Sequence, residues 1–462
     1  MNPKKTIFSI SERKLLLRLF DMLFAIEGMA LASFIFNFHY FIPSSPNIYK
    51  WTLTLIFYIL FFGQIFEMYN LKVANDKYLV LRSTILTGVL STVFYVFTPI
   101  IAPELPENRI QILYLFLSIT FSIYIWRLIY INFIFSPLFF NRILIIGADK
   151  NRIESLISLV QEKANDNFII GYICPKSISN KEFRKFEEEN LDLTQLVKEH
   201  QVSEMIVDNF HKEDFQNDIT SQLISLFKKG YHITGLDNYT ESISFSVPES
   251  QLNERFYNHI NFSKSHQNRI YLLFHRLFDV ISSLIGICFL FIIIPFILIG
   301  NLFFNKGPLF YLQERVGIGG ELFKIIKLRT MVKNAETNKA IWAVKDDARI
   351  TKFGKFLRRS RIDEIPQFIN VLKGEMSVIG PRPERPEFVK ELSADYPFFT
   401  IRNTIKPGLT GWAQVEYPYA STKEEQYIKL RYDLYYIKER NLLLDFKIII
   451  KTISTILFFR GT

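Results

Sequence analysis

The sequence predicts a membrane protein of α plus α/β class: a four-helix transmembrane bundle, a Rossmann-like middle domain, and an α/β C-terminal domain with a re-entrant membrane helix. Four long apolar stretches in series, an alternation of strand and helix patterns, and a fifth apolar stretch flanked by basic residues predict these parts. A chain of 462 residues with 49% hydrophobic residues has room for two or three domains and for membrane segments. The predicted domains are residues 1–140, 141–265 and 266–462.

The transmembrane bundle is predicted from apolar stretches at residues 15–42, 51–69, 79–101 and 110–135. Each stretch approaches the roughly 20 residues that a helix needs to cross a bilayer. Buried helices of a soluble core are the alternative, which a series of such stretches disfavours. The first stretch is too long for a cleavable signal peptide and lacks a small-residue cleavage site. Glu27 and Arg127 lie within the stretches and would pair or line a polar surface, unless Arg127 reaches the interface.

Basic residues set the expected orientation of the bundle. The segment before the first stretch contains Lys4, Lys5, Arg13, Lys14 and Arg18, and the second loop contains Lys72, Lys77 and Arg82. The third loop offers Glu104 and Glu107 against Arg109. Because Lys and Arg concentrate in cytoplasmic loops, both ends of the bundle are predicted to face the cytoplasm.

The net charge of +10 favours anionic partners. The surface of a lipid bilayer and phosphorylated ligands both attract Lys and Arg. Nucleic acid is not expected as a partner, because the sequence has no basic-aromatic repeat and no zinc-finger spacing. Cys174 and Cys288 are isolated, which predicts neither a disulfide framework nor a cysteine metal site.

The middle domain is predicted from strand patterns that alternate with helical ones. RILIIG (142–147), FIIGYI (168–173) and SEMIVD (203–208) are typical of buried strands. Such an alternation predicts a parallel, Rossmann-like sheet. The turn after Gly147 reads ADKNR and lacks the second and third glycines of a dinucleotide-binding turn. Dinucleotide binding by this domain is therefore not expected.

The fifth apolar stretch, residues 275–304, is long enough to span a membrane. A full crossing would carry the basic C-terminal segments away from the cytoplasm, yet basic residues flank the stretch on both sides. A helix that enters, bends and returns satisfies both flanks. Pro295 supplies the bend, because proline removes one backbone hydrogen bond and clashes with the preceding turn. The predicted re-entrant helix covers about residues 279–304.

Two strand patterns follow, around a Gly-rich turn at residues 317–320 whose spacing favours a tight hairpin over a phosphate loop. Lys327 and Arg329 alternate along the second strand, so both side chains are predicted to face the same way, toward a ligand or toward solvent. Further on, Arg382 stands between two prolines, whose fixed φ angles aim its guanidinium at little entropic cost. A rigid surface turn is the alternative for this segment.

The densest group of charged residues is TKFGKFLRRSRIDEIPQF, residues 351–368. Basic residues, Arg358 and Arg361 among them, precede Asp363 and Glu364 near a predicted helix start. The helix start and the cations would keep Asp363 ionised and attract an anionic ligand. An ionised carboxylate among cations can attack phosphorus, while its neighbour holds a divalent ion. Plain helix capping by these carboxylates is the alternative, and spacing alone favours it.

Four blocks in order resemble the bacterial sugar transferase family, the polyprenyl-phosphate hexose-1-phosphate transferases or large monotopic phosphoglycosyl transferases. The blocks are KIIKLRTM (324–331), RIDEIPQF (361–368), VIGPRP (378–383) and KPGLTGWAQV (406–415), within a resemblance that runs from about residue 275 to residue 462. The tail KLRYDLYYIKERNLLLDF (429–446) is similar to the exopolysaccharide branch. The chain departs from the family at Ile294, where serine usually precedes the proline, and lacks an Asn-Gly-Arg run after Trp412; Arg402 is a weak substitute for that arginine.

The resemblance implies a glycosyltransferase-type enzyme of the bacterial inner (cytoplasmic) membrane, multi-pass, with its catalytic domain on the cytoplasmic face. It would transfer a sugar-1-phosphate from a UDP-sugar to undecaprenyl phosphate, as the first membrane step of exopolysaccharide, capsule or O-antigen synthesis. Asp363 is implied as the nucleophile that forms a phosphosugar intermediate and releases UMP, and Glu364 as a ligand of Mg²⁺. The implied substrate-binding cations are Lys327, Arg329, Arg358, Arg361 and Arg382.

Larger members of the family carry a similar middle domain, so the resemblance implies that residues 141–265 are non-catalytic, with a regulatory or dimerising role, and that the protein is a homodimer.

The resemblance also implies the re-entrant helix with its hinge at Pro295. Arg276 and Asp279 match the basic-aromatic-Asp motif at which that helix enters the membrane. Their spacing of three residues would let them pair at the interface. A solvated surface pair is the alternative.

Two other functions remain open. An NAD-dependent nucleotide-sugar-modifying enzyme would use the middle domain, against which the missing glycines argue. A non-enzymatic polysaccharide-export scaffold would be built on the transmembrane bundle. The sugar is also open among glucose, galactose and an N-acetylated hexosamine, because hydroxyl recognition depends on the shape of the pocket.

Overall fold

The protein was analysed as a computed structural model that describes residues 10–36, 40–70, 73–74, 76–98, 101–104, 108–134, 141–164, 167–180, 182–187, 191–209, 219–252, 268–332, 347, 349–417, 420 and 422–457. The chain forms two compact units, Met1–Tyr239 and Thr240–Thr462. The predicted boundary between residues 265 and 266 lies outside the described residues, and so do residue 140 and the charged residues Lys4, Lys5, Lys72 and Glu107.

The first unit begins with apolar helices α1 (Ile10–Phe36), α2 (Ile48–Ile65), α3 (Lys77–Val96) and α4 (Ile110–Ile129). Helix α4 contacts α1 and α3, and α2 contacts α3. These helices coincide with the predicted apolar stretches. By length and composition each is able to cross a membrane, as is one helix of the second unit. The prediction of a membrane protein with several apolar helices is therefore confirmed.

A buried ion pair joins two of these helices. Arg127 of α4 donates to Asp21 of α1 through Nε at 2.9 Å and also donates to the carbonyl of Met68 at 2.8 Å. Both charged side chains are fully buried. Pairing with Glu27 was one of the alternatives for Arg127. Its observed partner is Asp21, which lies six residues before Glu27 in α1.

The rest of the first unit alternates strands and helices. Its elements are β1 (Asn141–Ile146), α5 (Lys150–Lys163), β2 (Asn167–Ile173), α6 (Leu193–Glu199), β3 (Glu204–Val207), α7 (Ile219–Lys228) and β4 (His232–Gly235). The strands form a parallel sheet in the order β2-β1-β3-β4. The parallel sheet is confirmed with its first three strands as predicted. Strand β4 was missed, because HITG has no apolar run to signal it.

The helix α8 (Leu236–Ser244) contains the division between the units. The second unit continues with α9 (Arg269–Phe304), β5 (Phe310–Val316), β6 (Leu322–Leu328), α10 (Lys352–Arg359), α11 (Phe368–Lys373), β7 (Ser377–Ile379), α12 (Pro386–Asp395), β8 (Gly408–Thr410), α13 (Trp412–Glu416), α14 (Lys423–Glu439) and α15 (Leu442–Leu457). Strands β5 and β6 form the predicted antiparallel hairpin, and β7 pairs with β8 in parallel. The main core of this unit gathers around α14 and the fully buried Trp412.

Helix α9 has 36 residues and passes through Pro295. Its buried residues follow helical spacing along one face: Tyr271, Asp279, Ser283, Gly286, Leu290, Ile297 and Asn301. Two glycines on α9 let aromatic rings approach its backbone, since a Cβ on Gly286 would lie 2.2 Å from the Phe368 ring and one on Gly300 would lie 2.4 Å from the Phe353 ring. The other faces of α9 expose apolar side chains. The helix is therefore attached to the second unit along nearly its whole length.

Candidate active site

The adjacent carboxylates lie on a short 3-10 helix, Ile362–Gln367, between α10 and α11. Arg361 precedes this helix in the left-handed conformation, with φ of 58°. That conformation costs a non-glycine residue roughly 1–2 kcal/mol, which surrounding contacts must offset. It ends α10 and redirects the chain, so that Asp363 and Glu364 stand at the start of a new helical segment, as predicted.

Glu364 is surrounded by three cations. Its Oε1 lies 3.0 Å from Lys327 Nζ and 3.7 Å from the Arg382 guanidinium, and its Oε2 lies 3.7 Å from the Arg361 guanidinium. These residues come from β6, from the Pro-Arg-Pro turn and from the segment before the 3-10 helix. The structure thus brings together four of the predicted site residues, Glu364 and the three cations around it, with an excess of positive charge.

Asp363 is 7% exposed, and within the described part of the chain its Oδ1 has no hydrogen-bond partner. Burial and the charge of Glu364 raise the pKa of Asp363 to about 6, although Lys327, Arg358 and Arg361 act in the opposite direction. Burial acts on Glu364 too, but Lys327, Arg382 and Arg361 outweigh it and hold the pKa of that carboxyl below its ordinary value. Neighbouring carboxyls with divergent pKa values are typical of sites that give them different tasks.

Arg358 and Arg329 have different surroundings. Arg358 Nε donates to Thr330 Oγ1 at 2.9 Å, and its charge favours ionised Asp363. Arg329 is buried and donates to Pro308, Asn301, Asn305 and Met331, which uses all the donors of a guanidinium. The structure therefore places Arg358 with the carboxylates, while the contacts of Arg329 fix the end of α9 to the chain that follows β6.

Arg276 and Asp279 of α9 bond to different elements. Arg276 donates to the carbonyls of Val371 and Leu372 at 2.7 and 2.8 Å, and so caps the end of α11. Asp279 is 2% exposed and accepts from Ser377 Oγ and from the Val378 backbone N–H, both at 2.8 Å. A solvated surface pair does not describe this buried aspartate. Arg276 therefore holds the end of α11, and Asp279 holds β7 itself.

Arg402 lies in a network that sequence reasoning missed. It is buried, forms an ion pair with Asp433 at 2.7 Å, and donates to the carbonyl of Arg382 at 3.0 Å. Arg402 is thus committed to protein partners and supports the turn that carries Arg382. The signal available in the sequence was weak, because the three residues are far apart along the chain.

The carboxylates of the site are possible ligands of Mg²⁺. Among the described residues, no three His, Cys, Asp or Glu side chains gather into a metal site. Mg²⁺ in phosphate-transferring sites is held by one or two carboxylates together with substrate phosphates, so three protein ligands are not required. Adjacent carboxylates, with one unpartnered oxygen on Asp363, fit that arrangement.

The fold and the site define a membrane-associated α/β protein whose second unit holds a buried carboxylate pair among cations. A family model described as "Bacterial sugar transferase" matches residues 270–459. The "UDP-N-acetylgalactosamine-undecaprenyl-phosphate N-acetylgalactosaminephosphotransferase" of Aeromonas hydrophila is 48% identical over 153 residues, 33% of this chain and 36% of that protein. The "UDP-glucose:undecaprenyl-phosphate glucose-1-phosphate transferase" of Klebsiella pneumoniae is 40% identical over 192 residues, 40% of each chain.

A shorter relative is matched over most of its length. The "Uncharacterized sugar transferase EpsL" of Bacillus subtilis (strain 168) is 34% identical over 195 residues, 41% of this chain and 90% of that protein. The chain therefore belongs to the bacterial sugar transferase family, as its four sequence blocks predicted. For the two longer relatives the match spans well under half of the protein, 36% and 40% of their lengths.

Proposed function

We propose that this protein is a phosphoglycosyl transferase that moves a sugar-1-phosphate from a UDP-sugar to undecaprenyl phosphate, with UMP as the other product. The observation that carries the proposal is Asp363, a buried carboxylate with an unpartnered oxygen among Lys327, Arg358 and Arg361. The names of the relatives support both substrates. The proposed role is the first membrane step of polysaccharide synthesis.

In the first step, Asp363 Oδ1 attacks the β-phosphorus of the UDP-sugar. A bond forms between that oxygen and phosphorus, and the bond from phosphorus to the bridging oxygen breaks. The electron pair leaves with UMP, whose phosphate gains negative charge. Lys327 and Arg382 lie beside Glu364, where their charges would stabilise this developing anion.

In the second step, an oxygen of undecaprenyl phosphate attacks the same phosphorus. The bond to Asp363 breaks, the carboxylate is regenerated, and undecaprenyl-diphosphate-sugar is released. The excess of cations around the carboxylates suits two phosphate substrates in turn. Glu364, with its low pKa, stays ionised throughout.

Glu364 would hold Mg²⁺ together with the substrate phosphates. When bound, the ion would supply positive charge to the diphosphate. The three cations around Glu364 perform part of the same task. They balance the carboxylate and keep it ionised for that contact.

The proposed membrane arrangement of α9 is a re-entrant one. Asp279 near one end bonds to Ser377, and Asn301 near the other end donates to the Gly307 carbonyl at 2.9 Å, so both ends are attached to one compact unit. Gly286, in the middle of the helix, packs against Phe368. Phe368 directly follows the 3-10 helix that carries the charged residues Asp363 and Glu364. A perpendicular crossing would place those charges near the bilayer centre, where charge is costly. Pro295 provides the point at which the helix bends.

This arrangement has a direct test. Single cysteines at Asn268 and Lys306, which flank α9, are expected to react with a membrane-impermeant maleimide from the cytoplasmic face. Reaction of the two from opposite faces would contradict re-entry. Helices α1–α4 are proposed to cross the membrane as a four-helix bundle with both ends cytoplasmic, because their basic flanks favour that orientation.

Ion pairs at the carboxyl ends of its strands support a non-catalytic middle domain. Arg152 of α5 forms ion pairs with Asp208 at 3.0 Å and with Asp237 at 2.5 Å. A Cβ on Gly147 would lie 2.8 Å from Asp208 Cβ. In parallel α/β sheets this edge is where a dinucleotide binds. Its occupation by protein side chains argues against a bound dinucleotide and so supports a non-catalytic role, which we propose to be regulatory or dimerising, in a homodimer.

The deciding experiment measures UMP release by protein in nanodiscs. Wild type and Asp363→Asn are offered a panel of UDP-sugars, undecaprenyl phosphate and Mg²⁺. Release with one donor that is lost in the variant identifies the sugar and supports Asp363 as the nucleophile. Undiminished release in Asp363→Asn would refute the mechanism.

The other two hypotheses are addressed by separate measurements. A scaffold predicts that Glu364→Gln leaves polymer synthesis intact. An NAD-dependent enzyme predicts a nicotinamide absorbance that accompanies the purified protein. Either result would displace the transferase proposal.

A further inference from the structure

A small pocket lies next to the carboxylate pair and is lined by polar side chains from four segments: Arg315 of β5, Lys327 of β6, Gln367 of the 3-10 helix and Arg382 of the Pro-Arg-Pro turn. The 3-10 helix has three residues per turn, so side chains three apart lie on one face. Gln367 therefore shares its face with Glu364. This places the pocket on the side of the helix where Lys327 and Arg382 also contact Glu364.

Two of these side chains present donors that no described residue accepts. Gln367 is 3% exposed, and its Nε2 is buried without a hydrogen-bond partner. Arg315 Nε is also buried and unpartnered, although the same guanidinium donates to the Pro383 carbonyl at 3.1 Å and to Gln313 at 2.6 Å. A buried donor without an acceptor destabilises the folded protein, because it has lost its hydrogen bond to water. Two such donors in one pocket indicate that an acceptor belongs there.

The charge of the pocket specifies the acceptor. Arg315, Lys327 and Arg382 bring three cations to it, and Gln367 adds a neutral donor. Burial lowers the pKa of Arg315 to about 10, despite the opposing charge of Glu384, which reflects how little solvent reaches its guanidinium. A phosphate offers several strong acceptor oxygens and negative charge, which match both the donors and the cations.

We infer that this pocket binds the phosphate of the nucleotide product, UMP, and that Gln367 and Arg315 are substrate-binding residues. The inference rests on the proposed function, which makes UMP the leaving group. When the phosphorus–oxygen bond breaks, the bridging oxygen stays with UMP as a new anionic oxygen. The unpartnered donors of Arg315 and Gln367 then become its hydrogen-bond partners, in the pocket that Lys327 and Arg382 also line. Both of these cations contact Glu364, the neighbour of Asp363.

The test is equilibrium binding of UMP to full-length protein in nanodiscs, measured by calorimetry beside uridine. The variants are Gln367→Glu, which keeps the shape but adds negative charge, and Gln367→Leu, which removes the donor. We expect both to weaken UMP binding, by about tenfold or more for Gln367→Glu, because a lost bond to a charged group has an effect of that size. Binding of uridine should not change. The matched control is Gln251→Leu, a buried glutamine of the same unit outside the pocket, which should bind UMP like wild type.

The outcomes separate this inference from the proposed function, because UMP binding requires no turnover. Equal UMP affinity in wild type and both Gln367 variants, in a protein that transfers sugar phosphate, would overturn the subsite alone. A raised KM for undecaprenyl phosphate with unchanged UMP affinity would assign the pocket to the lipid phosphate and overturn it as well. Phosphate-dependent UMP binding that falls in both variants, in a protein without transfer activity, would support the subsite and refute the proposed function.

Discussion

The pKa of Asp363, the proposed nucleophile, gives a sharp prediction, because a carboxylate attacks phosphorus only when it is ionised. Its ordinary value of 3.8 is raised to about 6 by burial and by Glu364. A shift of this size corresponds to about 3 kcal/mol between the two protonation states, at about 1.36 kcal/mol per pKa unit. A carboxyl with a pKa near 6 is about 90% ionised at pH 7 and about 10% ionised at pH 5.

The predicted consequence is that the first half-reaction slows about tenfold from pH 7 to pH 5, whereas an unperturbed aspartate would lose little. The assay follows single-turnover UMP release at subsaturating UDP-sugar. Undecaprenyl phosphate is left out, because its own phosphate titrates near pH 6. In Glu364→Gln the acid limb of the residual activity should move to lower pH, because the like charge that raises the pKa of Asp363 is gone. A rate that stays constant down to pH 5 would refute the reasoning.

Three further predictions concern stability. Arg402→Leu leaves Asp433 buried without this cation, so the free energy of unfolding, measured with denaturant, should fall by about 3–5 kcal/mol. The double variant Arg402→Leu with Asp433→Leu should lose less than Arg402→Leu alone. Asp279→Ala removes the acceptor of two buried donors and should lower the melting temperature more than Asp279→Asn, and equal effects would contradict the hydrogen-bond account. Gly286→Val should lower the free energy of unfolding by about 1–3 kcal/mol and slow UMP release, because a Cβ at this position would lie 2.2 Å from the Phe368 ring. Gly235→Ala should change neither, because the space around its Cβ is open.

The parts of the fold that the sequence predicted are those with a local signal. Apolar stretches of bilayer length located α1 to α4, buried-strand runs located β1 to β3, and the Gly-rich turn located the hairpin. The short strand β4 lacked such a run and was missed. Local patterns therefore determined the elements, and their boundaries in the structure follow within a few residues.

The candidate site was predictable only in part, because ion pairs depend on which segments meet. The block that contains Asp363 and Glu364 stood out by its charge density. Lys327 and Arg329 looked equivalent on their strand, yet the structure brings Lys327 to Glu364 and commits Arg329 to backbone carbonyls near the end of α9. Gln367 was visible within the RIDEIPQF block, but its unpartnered donor is a property of the folded pocket.

The attachment of α9 along the second unit also bears on which measure of substrate concentration governs the rate. Under the proposed function, the enzyme is held at the bilayer and meets its lipid-linked acceptor by diffusion in two dimensions. The acceptor's mole fraction in the membrane then governs their encounter. Adding inert phospholipid to vesicles then slows transfer even when the amounts of protein and acceptor per volume stay constant. A water-soluble nucleotide sugar undergoes no such surface dilution. The rate at one active site would therefore depend on the mole fraction of the acceptor in the membrane and on the aqueous concentration of the nucleotide sugar.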